Sequence, residues 1–147
     1  MSDDEKVAKD LVETLKDGER GFATAAEKLR DSDRAEWAST LQRLSEQRAG
    51  FRREIVEMGH EYGDDVDESG SVAATLHRGW ISLKDAVTGD DAGSVLGAAV
   101  TGEDHAVSEY EKAEKADLSA GFRAVVTRQH AAIVAARDEV KALHVVD

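Results

Sequence analysis

The chain has 147 residues, with 31 acidic and 19 basic side chains and a net charge of -12, and it contains neither proline nor cysteine. A field of that sign disfavours nucleic acid and anionic membrane surfaces as partners, and the lack of cysteine excludes disulfides and thiolate chemistry. The length suits one domain with one core, and the lack of proline removes the commonest helix breaker from an Ala-, Glu- and Leu-rich chain.

Ser2 with Glu5 reads as a capping box, and Asp3 and Asp4 suit the positive end of a helix. Val7, Leu11, Leu15, Phe22, Ala26 and Leu29 then recur at helical spacing, which predicts a first helix over about 3–30. Glu19 fills the gap in that stripe, on or beside its buried face. Asp31, Ser32 and Asp33 form a polar turn, and a second helix is expected over about 33–59 with Trp37, Leu41, Leu44, Phe51, Ile55 and Met58 inward. Arg48 interrupts that seam, Gln47 flanks it, and Glu54 stands on its edge.

Residues 60–70 have two glycines, five acids besides a tyrosine, and no period, so they read as a loop. Ser69 or Ser71 caps a short helix expected over about 71–88, which carries His77, Arg78, Gly79 and Trp80 and stops at Gly89. Trp80 is expected to dock this segment onto the bundle, with His77 and Arg78 capping or pairing with an acid. The other reading of that cluster is a small-anion or partner site. Asp90 or Asp91 starts a helix over about 91–115, in which Ala92, Leu96, Ala99, Ala106, Tyr110 and Ala113 mark the inner face and Glu103 falls on the same stripe. A last helix, about 119–145, turns Leu118, Phe122, Val125, Ala132 or Ile133, Ala136, Val140 and Leu143 inward, with Gln129 as its polar member. His105 and His130 lie at rim positions.

Short turns make the first and second long helices one antiparallel hairpin and the last two another. The long connection between the hairpins can carry the chain from one end of the bundle to the other. The fold expected is therefore all-α, a single ferritin-like four-helix bundle over 1–147 with a crossover containing a short helix. A five-helix bundle without that axis is the alternative.

The segments Asp17-Gly18-Glu19-Arg20-Gly21-Phe22, Gln47-Arg48-x-x-Phe51-x-x-Glu54, Ser69-Gly70-Ser71 followed by Leu76-His77-Arg78-Gly79-Trp80, Gly102-Glu103-Asp104 with Tyr110, and Gln129 together resemble a bacterial family over nearly the whole chain. It is an uncharacterised ferritin-like four-helix-bundle family, a domain of unknown function. The resemblance implies the fold and superfamily but no reaction. Arg137 stands where a histidine is expected in many relatives.

Counting outward from the turns places the inward polar residues in depth. Glu19 lies 13 positions before Ser32 and Arg48 lies 16 after it, while Glu103 lies 14 before Asp117 and Gln129 lies 12 after it. The expected arrangement is a buried layer of Glu19, Arg48, Glu103 and Gln129, in which the guanidinium bridges the acids and so neutralises what a metal would otherwise neutralise. The competing arrangement is an iron or manganese pair held by Glu19, Glu54 and Glu103. Glu57 to His60 has Glu-x-x-His spacing, but it sits at a helix end beside Gly59 and reads as chance. No nucleophile elbow or phosphate-binding loop is present. The function expected is a non-enzymatic, cytoplasmic bundle protein without a cofactor, associating as a homodimer, with stress physiology suggested by the resemblance. The alternative is a carboxylate-bridged di-iron or di-manganese oxidase or metal-binding protein.

Overall fold

Side chains that repeat every three to four residues can leave water only if their helices pack face to face, and four such helices do so here. The computed structural model describes residues 3–32, 34–61, 80 and 92–146. Within them lie α1 (Asp4–Arg30), α2 (Glu36–Glu61), α3 (Ala92–Glu114) and α4 (Ala120–Val146), and no strand. The chain is an all-α four-helix bundle. The expected short helix over 71–88, its capping serines and the side chains of His77 and Arg78 lie outside the described residues.

The directions of the helices follow from their cross-links. Ser45 Oγ donates to the Glu19 carbonyl at 2.8 Å, and the Arg30 guanidinium reaches Gln42 Oε1, so α1 and α2 are antiparallel. Arg43 pairs with Glu139, and Arg128 pairs with Glu54, so α2 and α4 are antiparallel too. Glu114 accepts from Thr127, and Asp104 pairs with Arg137, which sets α3 against α4. The start of α1 meets the end of α3, where the Asp3 N–H donates to the Asp117 carbonyl at 2.6 Å. Every neighbouring pair is therefore antiparallel, and the diagonal pair α2 and α3 runs parallel. The end of α2 and the start of α3 therefore lie at opposite ends of the bundle.

The helix ends show how local sequence sets the boundaries. Asp3 is the N-cap of α1, but its side chain makes no capping bond. Instead its Oδ2 accepts from the Asp117 N–H at 3.1 Å. Asp4 accepts from the Ser119 N–H and Oγ at 2.9 and 2.6 Å, which puts its charge at the positive end of α4. The second helix begins three residues later than its polar turn suggests. Ser32 Oγ donates to the Leu29 carbonyl and accepts from the Arg34 N–H, a local turn that competes with helix before Glu36 takes over. Arg123 donates to the Glu114 and Ala116 carbonyls at 2.8 and 2.6 Å, satisfying acceptors that the end of α3 leaves open.

The interior divides into two apolar clusters. One gathers Phe22, Leu29, Leu41, Leu44, Trp80, Leu96, Ala99 and Val140. The other gathers Leu11, Leu15, Ile55, Ala106, Tyr110, Phe122, Val126 and Ile133. Along the chain the break falls between Leu15 and Phe22 on α1, Leu44 and Ile55 on α2, and Ala99 and Ala106 on α3, the intervals that hold Gly18, Arg48 and Glu103.

Candidate functional site

The break between the clusters is polar because α2 and α3 each turn a charged residue inward there. Arg48 is 1% exposed and Glu103 is fully buried. The guanidinium grips the carboxylate with two parallel bonds, Nη1 to Oε1 at 2.6 Å and Nη2 to Oε2 at 2.7 Å. Such a bidentate pair is among the strongest neutralising contacts two side chains can make. Arg48 Nε donates to Gln47 Oε1 at 3.1 Å, so three of its nitrogens are engaged. Its Cζ lies 5.1 Å from the Phe22 ring centroid. Gly18 on α1 packs against Arg48, and a Cβ there would stand 3.4 Å from Arg48 Cγ and Nη1, an ordinary contact.

Burial pushes the Glu103 carboxyl above the usual carboxylate range, and the charge and hydrogen bonds of Arg48 pull against that rise, helped by Arg137. A guanidinium does not give up its proton in a protein, so a neutral Glu103 would strand a buried cation. The pair holds together as ions.

Glu19 and Gln129 are placed differently from the four-member layer expected from the sequence. Glu19 is half-buried, and its Oε1 accepts from Arg52 Nε at 3.2 Å, because its position on the helix rotates it to the edge facing α2. Gln129 is fully buried, but its hydrogen bonds go to residues other than Glu103. Its Oε1 accepts from the Tyr110 hydroxyl at 2.7 Å, and its Nε2 donates to Glu54 Oε1 at 2.9 Å and the Phe51 carbonyl at 3.3 Å. Tyr110, two turns after Glu103 on the same stripe, has reached the glutamine first. Burial pushes the Tyr110 hydroxyl well up, so it remains a donor.

The three carboxylates of the metal alternative are not brought together. Arg52 holds Glu19, Arg128 holds Glu54 and Arg48 holds Glu103. Among the described residues there is no group of three or more His, Asp or Glu side chains able to hold an ion. This donor set does not fit a di-iron or di-manganese centre.

Trp80 is the described member of the crossover cluster, and it is 2% exposed. Its indole lies in a notch between α1 and α3, edge-on to Phe22 with ring centroids 4.8 Å apart. Gly21 and Gly102 form the notch, and a Cβ on either would collide with the indole. Trp80, Phe22, Arg48 and Glu103 thus lie in one contiguous stack. The notch is what the sequence reading missed: glycines one position from Phe22 and from Glu103, on the inner faces of two helices, were its available signal.

His130 is the other titratable group in a defined setting. Its Nδ1 lies 2.5 Å from Glu114 Oε2, Thr127 Oγ1 donates to Glu114 Oε1 at 2.8 Å, and its ring stacks on Tyr110. These bonds hold the Glu114 carboxyl below the usual range, His130 contributing most. No described helix is long and apolar enough to cross a membrane.

Residues 5–116 match the family model described as a domain of unknown function, DUF2383. No curated protein matches the chain.

Proposed function

The chain belongs to the family of the domain of unknown function DUF2383, and on that premise we propose that it is a non-enzymatic helical-bundle protein of ferritin-like topology that acts by association as a homodimer. The observation that carries this reading is the bidentate Arg48–Glu103 pair, in which both oxygens of the inward acid accept from a guanidinium. A ferritin-like centre needs carboxylates from several helices converging on the ions. In this chain an arginine occupies that role, and it supplies the positive charge permanently. The antiparallel neighbours, the parallel α2 and α3 and the long connection between them support the ferritin-like assignment. The bacterial stress setting rests on the family resemblance, and the cytoplasmic one on the acidic composition.

The pair works as a register device. Two apolar clusters alone tolerate sliding of one helix along another, whereas a bidentate ion pair has one good geometry. The test is metal content of protein purified from cells grown with added iron or manganese. The expected ratio is close to zero per chain; a stoichiometric ratio that survives dialysis against a chelator would overturn the proposal in favour of the di-metal reading.

A further inference from the structure

We infer that the outward face of α4 is the surface on which a second copy of this chain docks, in an antiparallel arrangement centred on residue 133. The inference rests on the association reading above and names the surface that carries it.

An acidic chain associates with itself most easily where its own charge is least negative. Counting Lys and Arg against Asp and Glu, α4 has Arg123, Arg128, Arg137 and Lys141 against Asp138 and Glu139, a net of +2. In α3 the count is Lys112 against Glu103, Asp104, Glu109, Glu111 and Glu114, a net of -4. Of these charges Arg128, Asp138, Glu139 and Lys141 are exposed and sum to zero, so the face of α4 turned to solvent adds no repulsion between two molecules that each carry -12.

That face is self-complementary. Its exposed residues follow the three-four spacing of a single helix stripe, Ala124, Arg128, Ala131, Ala135, Asp138 and Ala142. They stand in pairs at equal distances from residue 133: Ala131 and Ala135 two positions away, Arg128 and Asp138 five away, Ala124 and Ala142 nine away. A two-fold axis through that centre sets each residue opposite its counterpart, as an isologous interface requires. Arg128 then faces the partner's Asp138, and Asp138 faces the partner's Arg128, so the interface gains two opposite-charge pairs and no like-charge pair along the stripe. In a parallel arrangement in register, arginine would face arginine and aspartate would face aspartate. The alanines between the charges let the helix axes approach to about 8 Å, the close end of helix packing.

The charges have the freedom this needs. The Arg128 side chain is 56% exposed, with one nitrogen on Glu54, and Asp138 is 63% exposed, with Arg137 Nε 3.5 Å from its Oδ1. Val134 and Ala132, half-buried, lie on opposite flanks of the stripe, so the same axis sets each flank against its own counterpart. From Ala124 to Ala142 the stripe runs about 27 Å, so a single helix face gives a small, reversible interface rather than an obligate one.

Light scattering across micromolar concentrations, combined with cross-linking in this cysteine-free chain, tests the inference. Wild-type protein is expected to dimerise reversibly, and Ala131→Arg to weaken the dimer at least about tenfold while circular dichroism and melting temperature stay unchanged. The Ala131→Cys/Ala135→Cys variant is expected to form a disulfide-linked dimer under mild oxidation, because each cysteine faces the other kind on the partner. Ala124→Cys alone is expected to stay unlinked, since its copies would lie at opposite ends of the contact. If wild-type protein dimerises and Ala131→Arg does so equally well, or if Ala124→Cys links readily to itself, this surface is wrong and the association reading stands. A wild-type protein that is monomeric at every concentration overturns both.

Discussion

Removing the Tyr110 hydroxyl deletes the donor to a buried amide oxygen. Gln129 Oε1 takes its bond from Tyr110 at 2.7 Å and is fully buried. Tyr110→Phe is therefore expected to cost about 1–3 kcal/mol in urea unfolding, the penalty for an unsatisfied buried acceptor. A change within a few tenths of a kcal/mol would show that water replaces the hydroxyl. Glu114 responds to acid instead. Its carboxyl is held below the ordinary range when folded, so the stability it contributes is complete above its unfolded value of about 4.5 and is lost as the pH falls through the lowered one. Glu114→Gln is expected to lower the melting temperature at pH 6 and to match wild-type protein near pH 3; an equal deficit at both pH values would contradict the assignment. At this scale the sequence announces which residues turn inward better than it announces whom they meet. Arg48, Glu103 and Gln129 break apolar stripes and so stand out. Which residue each one meets depends on side-chain reach: Tyr110 spans the gap to Gln129, and Glu19 sits at an edge where Arg52 is the nearer cation.

Helix packing is set by what one surface lets another approach, and the α1/α3 contact shows this most plainly. Gly21 and Gly102 leave a slot as wide as an indole, and Trp80 fills it. Gly102→Ala inserts a methyl group into that slot and is expected to cost about 1–3 kcal/mol through overpacking. Most of that cost is expected to vanish in a Trp80→Ala background, where no indole stands in the way. Equal costs in both backgrounds would place the strain in α3 itself. Helix existence and type follow from the three-four periodicity of each segment and the missing proline. The rotation of α4 follows less well, because Val125 and Val126 are adjacent and equally apolar; packing buries Val126 completely and leaves Val125 half-buried. The slot is hard to foresee, since a glycine in a helix signals a close approach without naming what approaches.

Across the described residues, two apolar clusters are joined through the Arg48–Glu103 ion pair, with the start of α1 fastened to the α3/α4 turn by Asp3 and Asp4. Antiparallel hairpins were readable from turn lengths, and the long connection between them is consistent with α2 and α3 running parallel. Depth along the bundle was readable only approximately, because counting from a turn assumes that facing helices are level. Arg48 met Glu103 as the counting suggested, whereas Gln129 met a residue two turns from Glu103. Arg48 and Glu103 act as one neutral unit. A double-mutant cycle by urea unfolding tests it most directly, with Arg48→Met, Glu103→Leu and the two combined. Each single change is expected to cost about 3–5 kcal/mol by leaving an unpaired buried charge, and the double variant to be near wild-type stability. Losses that simply add would show that the two residues are not coupled.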